Sequence, residues 1–296
     1  MSMLDHKIDF AVVLSVKNAN PNGDPLNGNR PRQNYDGHGE ISDVCLKRKI
    51  RNRLQDMGES ILVQSDDRRN DACLSIKDRV DANADVQEYA SGKKQNSDLF
   101  ARAACEAWLD VRSFGQVFAF SASSKDKDEK EKGKGVSVGV RGPVSIHTAV
   151  SVDPIDISSM QITKSVNSET SNKRGSDTMG MKHRVDFGVY KFFGSINTQL
   201  AEKTGFTNED AEKIRQALIT LFENDVSSAR PDGTMEILKV YWWEHSSKLG
   251  QYSSAKVHRS LKVEKKADIE ESRSIDEYEI SIEPLEGLAV QAYDGL

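Results

Sequence analysis

The chain has 296 residues, 37% of them apolar, and its 41 lysines and arginines stand against 46 aspartates and glutamates, a net charge of −5. That is enough apolar side chain for a sizeable core in one elaborated domain or two, while no apolar run approaches the roughly 20 residues that span a bilayer. Three widely spaced cysteines, Cys45, Cys73 and Cys105, form no CxxC pair, and MSMLDHKIDF lacks the layout of a secretion signal; a soluble cytoplasmic protein with reduced thiols is expected.

The first element is an alternating run in which Ile8, Phe10, Val12, Leu14 and Val16 share one face, which predicts a strand with that face buried. NANPNGDPLNGNRPRQ, Asn18 to Gln33, follows it directly. A hairpin turn needs only one Asn-Gly pair, and this stretch has two, with two arginines besides. Long ordered loops on a rigid strand are where binding groups collect, although a mobile surface loop is the plainer reading. Next, ISDVCLKRKIRNRLQDMG predicts a helix capped by Ser42 and stopped by Gly58. Leu46, Ile50, Leu54 and Met57 form its packing side, with Lys47, Arg48 and Arg51 on an adjoining flank.

Residues 59 to 96 are polar and weakly periodic, which suggests a long insertion, followed by a helix around Asp98 to Asp110 and a strand over VRSFGQVFAFS, Val111 to Ser121. SKDKDEKEKGKG, Ser124 to Gly135, interleaves five lysines with four acids and predicts a disordered loop. Strand, turn, strand is expected around Gly142-Pro143. Two β-like arms, Gln161 to Val166 and Met179 to Val189, then flank a polar tip from Asn167 to Asp177, the layout of a long protruding hairpin. Its basic residues Lys164, Lys173, Arg174, Lys182, His183 and Arg184 outnumber Glu169 and Asp177. A second helix starts at Thr207 or Asn208, and MEILKVYWWEH and YEISIEP read as later strands. From Ser260 onward ten acids face four bases, so the acidity is terminal and the remainder is free to carry a basic face. Strand, helix, strand, strand, helix, strand is the α+β pattern of the ferredoxin-like, RRM-like fold shared by RNA-recognition modules.

The six histidines show no HxxxH or HxH pairing, and GxSxG and Walker A motifs are absent, so neither a metal, a cofactor nor nucleotide hydrolysis is indicated. Asp24 is the one carboxylate placed to act on an RNA strand, as a base or by steering a ribose 2′-hydroxyl; its plainer reading is a turn aspartate before Pro25. An RNA backbone asks for Lys and Arg charge, and for amide and N–H donors where glycine lets the main chain approach. Candidates of that chemistry are Asn18, Asn20, Asn22, Gly23, Arg30, Arg32 and Gln33 in the opening loop and Lys47, Arg48 and Arg51 on the helix. Arg112, Phe114 and Arg141 lie near turns, and Lys164, Ser165, Met181, His183 and Arg184 on the hairpin. An arm rooted in Met160, Met179 and Met181 suits a wedge between bases or a reach to a neighbouring subunit, as well as an ordinary surface hairpin.

NANPNGDPLNGNRPRQ, DVCLKRKIRN, VRSFGQVF, RGPVSI, TMGMKHRVDFGVY, TGFTNEDAEKI, LFENDVSSARPDG and WWEH, in that order, resemble the backbone subunits of the type I CRISPR surveillance complex Cascade, subtype I-C, within the RAMP superfamily. The resemblance implies an RRM-like palm with finger insertions, here residues 59–110, and a β-hairpin thumb from about Ile157 to Arg184. It implies copies assembled head to tail along a CRISPR RNA, which the thumb kinks so that segments between kinks pair with a target DNA strand. Further implied partners are Cas five-type, Cas eight-type and small subunits. The opening loop and Lys47, Arg48 and Arg51 match palm segments that hold guide phosphates. In related type III subunits an aspartate of a corresponding loop cuts RNA, whereas type I subunits are not cutters, which moves Asp24 toward a structural or binding role.

Overall fold

The computed structural model describes residues 2–90, 94–120, 136–166, 170 and 179–296. The expected loop 124–135 and nearly all of the expected hairpin tip therefore lie outside the described residues.

In chain order the strands are β1 (Ile8–Ala19), β2 (Gly23–Asp24), β3 (Arg30–Pro31), β4 (His38–Ile41), β5 (Gly115–Phe120), β6 (Val136–Arg141), β7 (Val144–Ile146), β8 (Ala149–Pro154), β9 (Ile157–Thr163), β10 (Met179–Ile196), β11 (Met235–Glu244), β12 (Leu261–Lys265), β13 (Tyr278–Ile282) and β14 (Val290–Asp294). The helices are α1 (Asp43–Asp56), α2 (Ile76–Ala82), α3 (Ala84–Gln87), α4 (Ser97–Ala107), α5 (Leu109–Phe114), α6 (Thr198–Thr204), α7 (Asn208–Ile219) and α8 (Ser254–Ser260).

The main sheet runs β14-β11-β1-β10-β8-β4, with β7 and β9 also paired to β10, and its registered pairs are antiparallel. Taking β1, α1, β7–β8, β10, α7 and β11 as the six units of a split βαβ repeat, their sheet order is fourth, first, third, second, the RRM arrangement. Both faces of β1 are buried, not one. Its even-numbered residues Phe10, Val12, Leu14 and Val16 join Leu46, Ile50 and Leu54 of α1 and Ile214 and Leu218 of α7 in one core. Its odd-numbered Ala11 and Val13 join Tyr241, Trp243, Val257, Leu261 and Tyr278 in another, under α8 and the β12–β13 ribbon. Central strands covered on both sides read as near-continuous apolar runs, and the Ala-Val-Val in mid-strand is that signature.

The helix ends follow local chemistry. The Ser42 hydroxyl accepts from Cys45 N at 3.2 Å, and Thr207 and Asp210 form a reciprocal capping box. The stretch after α1 is no loose excursion: Leu62, Val80, Val86, Phe100, Trp108, Val111 and Phe118 form a third buried cluster, closed by Val136, Val138 and Val140 of β6. The expected strand at Val111 starts only at Gly115, because Val111–Phe114 finish α5. Gly115 makes the switch at φ +79, where an added Cβ would lie 2.3 Å from Val140 O. Tyr278–Ile282 pairs with β12 in a separate ribbon rather than entering the main sheet, whose edge is taken by β14. No described helix is long and apolar enough to cross a membrane.

Candidate nucleic-acid interface

The penultimate residue of β1, Asn18, is left-handed at φ 57, and the chain turns into the amide-rich loop. Much of that amide content folds the loop itself. Asn20 is buried and donates from Nδ2 to Asn29 O at 2.6 Å, and Asn22 Oδ1 accepts from Ser42 N at 2.9 Å, pinning the loop to the start of α1. Gly23 leaves no room for a side chain, since a Cβ would fall 2.0 Å from Asn29 Oδ1. Gln33 Nε2 donates to Ile155 O at 2.9 Å and Gly37 O at 3.1 Å. Of the loop candidates, Asn20, Asn22, Gly23 and Gln33 thus hold the shape, Asn18 is exposed, and Arg30 and Arg32 are half-buried.

Asp24 is engaged inside the loop. Its Oδ1 accepts from Leu26 N at 3.2 Å, capping a short 3₁₀ turn, and lies 3.5 Å from an Arg32 guanidinium nitrogen. With Asn27, Arg30, Arg32, Gln33 and Glu40 it lines a concavity of about 260 Å³.

The helix flank departs from expectation. Lys47 pairs with Asp43 one turn back at 3.0 Å and stays at the surface, but Arg48 donates to Val63 O at 2.7 Å and Arg51 Nε donates to the fully buried Asp110 at 2.9 Å. Burial, with Arg51 nearby, lowers the Arg48 pKa from its ordinary value. Arg51 also covers the Phe114 ring at 5.0 Å, and Arg112 makes a two-pronged contact with Asp210 of α7 at 2.8 and 2.9 Å. Arg51, Arg112 and Phe114 therefore sit where α5 packs against α1 and α7, because a buried guanidinium needs a carboxylate partner. Arg141 is exposed at the end of β6.

The hairpin is formed by β9 and the first part of β10, paired from Met179↔Thr163 to Val185↔Ile157. Strand alternation puts Ser159, Gln161, Thr163, Met179, Met181 and His183 on one face and Met160, Ile162, Lys182 and Arg184 on the other. Met179 and Met181 are more than half exposed. Lys164 and Ser165 follow the last paired residue of β9. Sequence reasoning missed the residue that joins the two candidate regions, Ser159: Arg30 donates to its Oγ at 3.0 Å, and that oxygen is 2.7 Å from His183 Nδ1. A serine in a polar strand carries no signal for this. The chain Arg30–Ser159–His183 sets the opening loop against the same hairpin face that carries Met179 and Met181.

Asp9, His245 and His258 form a buried polar cluster under α8, with Asp9 Oδ2 2.8 Å from His245 Nε2 and 3.0 Å from Lys7 Nζ. Its partners tie β1 to α8 and to the end of β11. Among the described residues no group of three or more His, Cys, Asp or Glu is poised to hold a metal ion.

Residues 6–283 match the family model described as CRISPR-associated protein Cas7. The chain belongs to the Cas7 family. A "CRISPR-associated protein Cas7" of Haloferax volcanii (strain ATCC 29605 / DS2) is 29% identical over 234 residues, 75% of this chain and 66% of that protein's length, just short of two thirds. Two solved structures are similar. A chain of a "CRISPR RNA-guided surveillance complex, pre-nicking" is 15% identical, covering 80% of this Cas7-family chain and 78% of its own length at a TM-score of 0.48. A chain of a "CRISPR RNA-guided surveillance complex" is 17% identical, covering 80% and 68% at a TM-score of 0.37.

Proposed function

We propose that this Cas7-family chain is a non-catalytic backbone subunit of a Cascade complex of the I-C type, acting in the cytoplasm. It binds CRISPR RNA, polymerises head to tail along the guide with the other Cascade subunits at its ends and side, and kinks the guide with its hairpin so that intervening segments pair with target DNA. The observation that carries this reading is the Arg30–Ser159–His183 chain. It joins a loop bearing two half-exposed arginines to a protruding arm whose same face bears two exposed methionines. Arginines supply grip on phosphates regardless of sequence, and flexible apolar side chains suit insertion between bases. A guide whose spacer varies requires that kind of grip, since base pairing must read the target. Repetition of one heterologous contact along a shared polyanion yields an open filament held by many weak sites.

On this reading Asn18, Arg30 and Arg32, with Lys47 beside them, contact the guide backbone, and Lys164, Ser165, Met181, His183 and Arg184 belong to the kinking arm. Asp24 shapes the loop. Gentle purification at low salt tests the proposal: large particles are expected, holding RNAs of uniform length with CRISPR repeat ends. A nucleic-acid-free monomer that shortens added RNA, with Asp24→Ala abolishing the cleavage, overturns it.

A further inference from the structure

Beyond Gln33 the opening segment makes a tight hairpin into β4, in which Glu40 N donates to Arg32 O at 2.9 Å and Asn34 N donates to His38 O at 2.8 Å. Its tip is firmly held. The Asn34 side-chain oxygen accepts from Asp36 N at 3.0 Å and from His38 N at 2.9 Å, Gly37 N donates to Asn34 O at 3.2 Å, and Gly37 takes the left-handed φ of +83 that the bend requires. Ile155 N donates to Gly37 O at 3.0 Å, which ties the tip to the strand leading into the protruding arm. Tyr35 stands on this tip with its ring in solvent. Among the described residues the two most exposed large hydrophobic side chains are Tyr35 and Leu26, both essentially fully exposed and both in this segment. Single exposed apolar residues are ordinary. Here the two extremes lie on hydrogen-bonded turns of one segment, that of Leu26 being capped by Asp24, so the backbone displays them in a fixed place.

The surroundings of the ring say what can take it up. Three residues of chain separate Tyr35 from Arg32, a span of at most about 11 Å, with Arg30 one step behind. Cations along the backbone of a strand, with an aromatic face for one of its bases, are how single-stranded nucleic acid is held without regard to sequence. Leu26 has no flat face to offer, which leaves Tyr35 as the platform. Asp36, exposed and next in the chain, repels phosphate, so a strand stacked on the ring runs toward Arg32. Every base has a face on which a tyrosine ring can lie, and stacking leaves the pairing edge of the base free. Both properties suit a guide whose sequence varies and whose bases must pair. The turn is already ordered, so engaging the ring costs little backbone entropy.

We propose that Tyr35 is a base-stacking platform of the RNA-binding surface, on which one nucleobase of any identity lies flat while Arg32 and Arg30 hold the adjoining phosphates. It rests on the RNA-binding function proposed above and adds to the phosphate grip a contact with a base face.

The test is fluorescence anisotropy of the RNA-free protein with end-labelled oligocytidine and oligouridine of equal length. Tyr35→Leu, at a fully exposed position where folding is not at stake, is expected to weaken both oligomers about tenfold, the value of one stacked base. Tyr35→Phe keeps the ring and should stay within about twofold of the wild type. The slope of log affinity against log salt should be the same for Tyr35→Leu and the wild type, because no phosphate contact is lost. Unchanged affinity of Tyr35→Leu, an equal loss in Tyr35→Phe, or a loss confined to one pyrimidine overturns the stacking assignment while leaving RNA binding in place. A lowered salt slope in Tyr35→Leu overturns it too, because the substitution has then disturbed the arginines. So does a Tyr35→Leu protein that binds the short oligomers normally but no longer assembles into large particles on long RNA, since the ring is then a contact between copies of the chain. Failure of the wild type to bind either oligomer overturns the RNA-binding function as well.

Discussion

Asp110 tests how the insertion is seated on the sheet. Fully buried at the start of α5, its carboxylate accepts from Arg51 Nε at 2.9 Å, Leu62 N at 2.8 Å and Val63 N at 3.1 Å. Asp110→Ala removes all three acceptances at once. One buried amide N–H, of Leu62, and one half-buried, of Val63, are left without partners, at about 1–3 kcal/mol each, and Arg51, whose side chain is 13% exposed, becomes an uncompensated charge. Breaking a buried pair from one side costs about 3–5 kcal/mol. The losses share one group and do not sum fully, so about 4 kcal/mol is expected, a large share of the roughly 5–15 kcal/mol that holds a folded chain. With a urea slope of about 3 kcal/mol/M, the midpoint drops by more than about 1 M. Tryptophan fluorescence suits the measurement, because Trp108 belongs to the insertion's core while Trp242 and Trp243 report the main sheet. Asp81→Ala, which removes an exposed one-turn pair with Lys77, is the control and should cost under about 0.5 kcal/mol. An Asp110→Ala loss below about 1 kcal/mol, or no greater than the control, refutes the argument that this carboxylate fastens the seam.

Two further outcomes are expected. Removing both loop arginines, Arg30→Ala with Arg32→Ala, should lower the slope of log affinity against log salt by about 1.4 for single-stranded RNA, so that between low and fourfold higher salt the wild type loses about sevenfold more affinity than the variant; parallel lines refute a phosphate role. Burial lowers the His258 pKa from its ordinary 6.5, against the opposing pull of Asp9, while its Nε2 lies 3.1 Å from Gly194 O. The unfolded chain therefore takes up that proton more readily than the folded one, and the stability tied to neutral His258 is present above pH 6.5 and declines as pH falls from there toward the lowered folded-state value. His258→Gln should flatten that part of the melting-temperature profile, and profiles that fall in parallel refute the assignment.

Much of this protein is written in short-range sequence. Ser42 and Gly58 bound α1, Thr207 and Asp210 cap α7, and the alternation from Ile8 to Val16 marks the central strand, because caps and periodicity act over a turn or two of backbone. The two arms of the hairpin were legible for the same reason, and the long motifs in fixed order pointed to the family that the match over residues 6–283 establishes. Charge is different, since a side chain's type does not say which way it faces in the finished fold. Arg48 and Arg51 read as a basic flank and Arg112 as an arginine beside a turn, yet packing of α5 and the segment after α1 against α1 and α7 turned them inward, where Val63 O, Asp110 and Asp210 satisfy them. The opening loop's amides read as ligands, and several became its internal scaffold. The strand at Val290–Asp294, too short and too exposed for a periodic signal, was found only as the edge of a sheet. Sequence alone marked the central strand, α1, α7, the hairpin arms and the family. Tertiary structure decided which cations remain outside and which serine links loop to hairpin, because partners from 15 to 129 residues apart meet only when the chain closes.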